Sequence, residues 1–169
     1  RMMWVPQYSA LRAGHASGNQ WNDGEIGEFS AAFGKNTTAR GEGAIAGGVS
    51  CVASGKYAVS LGTHTTANQE GAFAAGDHSF ASGIGAVSLG YYTNASGYGS
   101  FAAGTNTIAS GNNAVALGKS TLANNENSIA FGFGNMAGGA NSIALGQNTN
   151  ASGDGSMTGG INCIAFGSN

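Results

Sequence analysis

Residues 114–127 read AVALGKSTLANNEN and residues 128–141 read SIAFGFGNMAGGAN, which are two copies of one fourteen-residue pattern. Each copy begins small–large–small–large–Gly, as in Ala114-Val115-Ala116-Leu117-Gly118. The pattern extends without insertion from Ser30 to Asn169 and gives ten repeats. A fixed period of this kind is typical of a solenoid, in which each repeat forms one coil and packs only on its neighbours.

Positions within each repeat are numbered from one, at Ser30, to fourteen. Positions one to four alternate in size with the period of two that is typical of a β-strand. Positions seven to ten are predicted to form a second, weaker strand and positions eleven to fourteen a turn. The predicted fold is an all-β parallel β-roll solenoid, roughly 48 Å long at ~4.8 Å per coil. Position five is glycine in every repeat and is predicted to be a structural turn that ends the first strand: Gly34, Gly48, Gly62, Gly76, Gly90, Gly104, Gly118, Gly132, Gly146 and Gly160.

The large side chains at positions two and four are predicted to point together into the core of the roll. They trade volume within a repeat, as when Phe73 accompanies Ala75, and a narrow core requires such compensation. The small residues at positions one and three would then face outwards. The predicted roll core contains Val59, Leu61, Phe73, Val87, Leu89, Phe101, Val115, Leu117, Ile129, Phe131, Ile143 and Leu145.

The first strand of each repeat has no polar face. Positions one to four contain no charged residue, Asn or Gln in any repeat. A strand that is apolar on both faces is usually buried on both faces, and one coil cannot cover both. We therefore predict a homo-oligomer whose contact runs the length of the rod, with cyclic symmetry if the subunits are parallel.

Residues 1–29 depart from the repeat and contain both tryptophans and the only proline. Terminal segments of solenoids are atypical because they cover an exposed end. We predict two parts: residues 1–29 as an N-terminal cap or a connector to a preceding domain, and residues 30–169 as a ten-coil β-roll. In the cap interpretation, Trp4, Val5, Tyr8 and Leu11 cover the first coil.

Asn127-Ser128-Ile129-Ala130-Phe131-Gly132 and Asn141-Ser142-Ile143-Ala144-Leu145-Gly146 resemble the Asn-Ser-Val-Ala-Ile-Gly signature of YadA-like head repeats. These repeats form the heads of trimeric autotransporter adhesins, and the resemblance covers all ten repeats. It implies a left-handed roll and a parallel homotrimer. It also implies a structural and adhesive role at the bacterial surface, with host matrix proteins or glycans as partners. Similar repeats occur in the fibres of tailed phages and injection systems.

Composition excludes several functions. The chain has 31 glycines among 169 residues, only 8% charged residues and a net charge of −2. The small charge argues against a nucleic-acid partner. No apolar run reaches the ~18 residues of a membrane span. No nucleophile motif or converging carboxylate pair is present. We therefore expect no enzyme, catalytic residue, cofactor or metal, and no membrane contact from this segment.

A few side chains stand out against this plain background. Tyr91, Tyr92 and Tyr98 cluster in one repeat and are predicted to contact a ligand. His64 and His78 share position seven in neighbouring repeats and are predicted to be side by side, whereas Asp77 should point to the other face.

The two cysteines and three charged residues receive structural interpretations. Cys51 and Cys163 share position eight, eight coils apart, too far for a disulfide, and are interpreted as small buried residues. Glu42, Lys56 and Glu70 share position thirteen and are predicted to form a ladder of alternating charge.

Three functions fit these patterns. The first is an extracellular trimeric adhesin head, and the second is a rigid shaft or receptor-contacting segment of a phage or injection-system tail fibre. The third is an ice- or surface-binding solenoid, which requires the Thr-rich position eight to face solvent.

Overall fold

The computed structural model of the chain describes residues 1–167, and its element order is that of a parallel β-solenoid. Each repeat forms a five-residue strand at positions two to six and a two-residue strand at positions nine and ten. Equivalent strands pair in parallel at a register of fourteen residues, so Val87 pairs with Phe101 and Asn94 with Ile108. The predicted all-β solenoid with ten coils of fourteen residues is confirmed.

The strands form two sheets. The 12-stranded long sheet contains β1 (Met2–Val5), β2 (Ala10–His15) and the long strands, and the 10-stranded short sheet contains the short strands. The long strands are β3 Ala31–Lys35, β5 Ile45–Val49, β7 Val59–Thr63, β9 Phe73–Asp77, β11 Val87–Tyr91, β13 Phe101–Thr105, β15 Val115–Lys119, β17 Ile129–Phe133, β19 Ile143–Gln147 and β21 Met157–Ile161. The short strands are β4 Thr38–Ala39, β6 Val52–Ala53, β8 Thr66–Ala67, β10 Phe80–Ala81, β12 Asn94–Ala95, β14 Ile108–Ala109, β16 Leu122–Ala123, β18 Met136–Ala137, β20 Asn150–Ala151 and β22 Ile164–Ala165.

The core is made of small side chains. Alanine and serine at positions one and three, threonine or serine at position eight and alanine at position ten are buried, as at Ala114, Ala116, Thr121 and Ala123. Nothing larger than Asn135 is fully buried in residues 30–167. Each fourteen-residue coil contributes one strand to each sheet, and the short connection between the strands holds the two sheets close together. Only small side chains fit at native packing density in the narrow space between the sheets.

The predicted orientation of the long strands is therefore wrong, because the large side chains at positions two and four lie on the outer face of the long sheet. Phe131 is 54% exposed, for example. None of the twelve predicted core residues is buried: Val59, Leu61, Phe73, Val87, Leu89, Phe101, Val115, Leu117, Ile129, Phe131, Ile143 and Leu145.

The predicted role of the position-five glycines is also wrong. They lie inside the long strands rather than at a turn, and each of the ten has a positive φ, such as 128° at Gly90. A Cβ atom on Gly90 would lie 2.1 Å from the backbone oxygen of Gly104 in the next coil. The glycines are thus required by positive φ and by close contact between coils. The chain turns two residues later, at position seven, where Asn36 and Asn106 have φ of 55° and 54°.

The hydroxyl groups in the core fall into two sets. Where position three is serine, it bonds the threonine at position eight: the Ser60 and Thr65 hydroxyls are 2.8 Å apart, as are those of Ser88 and Thr93. Where position three is alanine, the buried threonine hydroxyl has no hydrogen-bond partner within residues 1–167. This second set contains Thr37, Thr107, Thr121 and Thr149.

Residues 1–29 add an irregular coil to the N-terminal end. β2 (Ala10–His15) pairs in parallel with β3, and β1 (Met2–Val5) pairs antiparallel with β2 at the sheet edge. Two short 3₁₀ helices, Pro6–Tyr8 and Asp23–Glu25, complete the segment. An isolated parallel bridge joins Ile26 to Ala39 on the short-sheet side.

The side chains that cover the first coil differ from those predicted. Trp4 is 58% exposed, whereas Arg12, Trp21 and Ile26 are buried. Trp21 donates its indole N–H to the backbone oxygen of Thr37 at 3.1 Å. The tryptophan that closes the core is therefore the one in the loop after β2, because β1 lies at the outer edge of the long sheet.

Arg12 is a buried cation at this end of the roll. It replaces the small residue of position three, since it pairs with Ala32 in the sheet register. Its guanidinium donates to the Ser30 hydroxyl at 2.8 Å and to the backbone oxygens of Leu11, Ser30 and Ala39 at 2.8, 3.1 and 3.0 Å. Desolvation by burial lowers the pKa of Arg12.

Candidate functional site: the outer stripe and the corner column

The largest apolar surface of the rod is the outer stripe, which we define as positions two and four of the ten long strands. It is apolar in every coil and lies on the face of the long sheet that points away from the short sheet. The large side chains of the stripe that are exposed by more than a third are Phe33, Ile45, Leu61, Phe131, Leu145 and Met157.

The second feature is the corner column, which we define as the position-seven residues where the chain leaves the long sheet. All nine residues of the column apart from Gly134 have a left-handed backbone although they are not glycine, and their φ values lie between 51° and 56°. Most are Asn or Ser, but three successive coils carry His64, His78 and Tyr92. The His64 and His78 rings stack with centroids 4.9 Å apart, and the His78 and Tyr92 rings with centroids 4.7 Å apart. The predicted side-by-side histidines are confirmed.

Asp77 joins this column, contrary to the prediction that it points to the other face. Its carboxylate Oδ1 lies 2.5 Å from Nδ1 of His78. One ligand atom from each of His64, Asp77 and His78 lies within 4.8 Å of the others. Alternation along the strand breaks down here, because the left-handed residue that follows Asp77 turns its own side chain back toward the end of the strand.

The structure brings together two of the three predicted ligand-contact tyrosines. Tyr91 and Tyr92 are in edge-to-face contact with ring centroids 4.6 Å apart. Tyr98 lies in the turn at the opposite edge of the coil. Tyr91 is the last residue of β11, whereas Tyr98 lies in the turn before β13, so the two positions are at opposite ends of the long strands, a span of roughly 13 Å at ~3.3 Å per residue. All three rings are exposed, at 49%, 46% and 60%.

The charge ladder predicted at position thirteen is formed in part. Lys56 Nζ lies 2.9 Å from Oε2 of Glu42, and the Tyr57 hydroxyl donates a hydrogen bond to the other carboxylate oxygen, Oε1, at 3.2 Å. The hydrogen bond from Lys56 lowers the pKa of Glu42 and raises that of Lys56. Within residues 1–167, Lys56 makes no ion pair with Glu70.

The cysteines and threonines of position eight do not form a surface site. Cys51 is buried and donates its S–H to the Gly62 oxygen at 3.0 Å, whereas Cys163 in the last coil is half-buried, and both are free. The ice-binding hypothesis required position eight to face solvent. Thr65, Thr93 and Thr121 are buried there, so the basis of that hypothesis is wrong.

Comparison with known families identifies the repeat. The family model "YadA head domain repeat (2 copies)" matches residues 26–49, 53–79, 81–107, 109–135 and 137–157. The chain belongs to the YadA head family. The resemblance carried by the Asn-Ser-Ile-Ala segments is thereby confirmed. A comparison with curated proteins finds no match.

The family match extends beyond the regular repeats and indicates the general role of the chain. The first YadA head match begins at residue 26, so it includes Ile26 and Gly27 from the irregular N-terminal coil as well as the regular repeats. The YadA head family indicates an adhesin-like surface module, and YadA heads on a β-solenoid are typically structural rather than enzymatic. The structure describes no helix long and apolar enough to cross a membrane in residues 1–167.

Proposed function

We propose that the chain is the head of a trimeric surface adhesin, in which three parallel rolls bury their outer stripes against one another and present the remaining surface to a host ligand. The observation that carries the proposal is the outer stripe itself. Trimeric assembly and left-handed coils are supported by membership of the YadA head family.

The size of the stripe supports burial in an oligomer. Ten coils at ~4.8 Å make a band about 48 Å long, and the strand width of about 13 Å gives roughly 600 Å². That area is at the upper limit of the apolar patches that monomeric proteins expose. The apolar columns run the whole length of the rod, so one parallel contact covers all ten coils.

The compensating sizes at positions two and four gain an explanation in the trimer. Phe73 accompanies Ala75 and Phe101 accompanies Ala103, whereas Val115 accompanies Leu117. On an outer face these pairs do not fill the roll. They keep the volume that each coil brings to a shared seam nearly constant, as close packing between subunits requires.

A matched pair of variants tests the assembly. Leu117 lies at position four in the outer stripe and Leu122 at position nine on the outer face of the short sheet, and both are half-buried in the single roll. Leu117→Lys buries a charge in the proposed seam, whereas Leu122→Lys places it at a free surface. Light scattering should give a mass three times that of the 16.6 kDa chain for the unmodified protein and for Leu122→Lys, and a lower mass for Leu117→Lys. A monomeric unmodified chain would refute the proposal.

We further propose that Tyr91 and Tyr92 contact the ligand. Their rings form one exposed aromatic surface at the corner of the rod, and such surfaces stack on sugars or anchor a protein partner. Tyr98 faces the opposite edge and provides the control. Binding to immobilised collagen, fibronectin and glycans is expected to fall in Tyr91→Thr/Tyr92→Asn and to persist in Tyr98→Asn. A trimer that binds none of these ligands would favour the alternative, a spacer in a tail fibre.

The N-terminal segment has a proposed role of its own. We propose that residues 1–29 cap the roll, because Trp21 and Arg12 occupy the end of the core and β1 covers one edge of the long sheet. A solenoid end without such cover exposes an unpaired strand and a slice of core. The substitution Arg12→Ala removes contacts between this segment and the first coil. If the segment is only a connector, that substitution will leave the stability of the ten coils unchanged.

A further inference from the structure

The corner column contains a group of metal-ligating side chains that adhesion does not explain. His64, Asp77 and His78 come from two adjacent coils and meet at one point on the surface. His64 is exposed, and the side chains of His78 and Asp77 are 36% and 46% exposed. A ligand can therefore reach all three from solvent.

The backbone holds these residues at fixed spacing. The backbone N–H of His78 donates to the backbone oxygen of Thr63 at 3.0 Å, and the backbone N–H of His64 donates to the backbone oxygen of Val49 at 2.9 Å. On the far side, Tyr92 stacks on the His78 ring with an interplanar angle of 9°. The backbone that carries the two imidazoles is thus fixed by the coil repeat and does not belong to a flexible loop, so metal binding requires only rotation of the side chains.

We propose that His64, Asp77 and His78 form a binding site for a divalent transition metal of the zinc class. Two imidazoles and a carboxylate are a donor set that zinc, copper and nickel accept, and three protein ligands leave a fourth position open. Ligand atoms around a tetrahedral zinc lie about 3.3 Å apart, given zinc–nitrogen bonds of ~2.0 Å. The present separations, at most 4.8 Å, close to that value through rotation of the exposed side chains.

Asp77 has a second way to contribute. Its contact with Nδ1 of His78 fixes the orientation of that ring and leaves Nε2 free. A carboxylate that orients a histidine ligand strengthens metal binding by ~10–100-fold. Whether Asp77 binds the metal or orients His78, its removal weakens the site. The proposal is independent of adhesion and of trimer formation.

Isothermal titration of the metal-free chain with Zn²⁺ tests the proposal. Asparagine already occupies position seven at Asn36 and Asn106 with the same left-handed backbone, so His64→Asn and His78→Asn preserve the corner. We expect one zinc per chain, with binding weakened by at least ~30-fold in either histidine variant and by at least ~10-fold in Asp77→Asn. His15→Asn removes the only other histidine, which lies in β2 outside the column, and should leave binding unchanged.

A measurement on the unmodified chain guards against variants that fail to fold. Nitrogen resonances of two of the three histidines should shift when Zn²⁺ is added, and the His15→Asn spectrum identifies the third. Zinc uptake that is unchanged in His64→Asn and His78→Asn would overturn the proposal. So would the absence of uptake at millimolar Zn²⁺, or a histidine shift confined to His15.

Discussion

The unpaired threonine hydroxyls of the core give a prediction that separates two nearly identical substitutions. Thr65 and Thr121 occupy the same position in different coils, and both are buried. Thr65 bonds Ser60 at 2.8 Å, whereas the Thr121 hydroxyl has no partner within residues 1–167, because position three of its coil is Ala116. Valine replaces the hydroxyl by a methyl group of similar size at either site.

The two variants should change stability in opposite directions. Thr65→Val removes a hydrogen bond and leaves the Ser60 hydroxyl buried without a partner, which costs about 1–3 kcal/mol. Thr121→Val removes a hydroxyl that is buried without compensation, and should raise the free energy of unfolding by about 1 kcal/mol. The two midpoints are compared in urea at equal protein concentration, since subunit association also shifts apparent stability.

A third variant completes the comparison. Ala116→Ser supplies the partner that Ser60 supplies to Thr65, and should stabilise the protein when Thr121 is present. In the Thr121→Val background the same serine is unpaired and should destabilise it, so the cycle gives a coupling energy of about 1–2 kcal/mol. If Thr121→Val is as destabilising as Thr65→Val, the Thr121 hydroxyl has a partner, such as a buried water, and the reasoning is refuted.

Three further predictions follow from other parts of the rod. Gly90→Ala should destabilise the protein by at least about 3 kcal/mol in urea unfolding, because the new Cβ would lie 2.1 Å from the backbone of the next coil and the φ of Gly90 is 128°. The control is Gly85→Ala, which has open space around it and should cost only about 1–2 kcal/mol. Arg12→Ala should lower the free energy of unfolding by about 3 kcal/mol in the same assay, since charge-assisted hydrogen bonds contribute ~1.5–3 kcal/mol each and are not additive. An unchanged urea midpoint would contradict the capping role. Lys56→Gln should raise the pKa of Glu42 toward its ordinary value in an NMR titration, and an unchanged pKa of Glu42 would show that the ion pair is absent in solution. Because the folded-state pKa of Glu42 is lowered, the ion pair contributes stability above the unfolded-state pKa, and this stability is lost as pH falls through the folded-state pKa.

The sequence also carries a signal for the corner at position seven. Position seven is Asn, Ser, His or Gly in nine repeats, and Tyr92 is the exception. Asn, His and Gly are residues that tolerate a left-handed backbone. That preference indicates a turn at position seven rather than at position five, with His64 and His78 at a corner beside Asp77.

The sequence specifies the period, the number of coils and the parallel β-solenoid, because a strict fourteen-residue repeat leaves each coil only its two neighbours to pack on. It also determined that the long strands are apolar on both faces. Which face lies inside depends on the tertiary structure, because alternation specifies that Ala114 and Val115 point to opposite sides but not which side is the core. The narrow gap between two sheets of one coil selects alanine and serine for the inside and leaves valine and leucine for the outside. The contacts of Asp77 with His78 and of Arg12 with Ser30 were equally beyond the sequence, since each depends on where a turn directs a side chain in three dimensions.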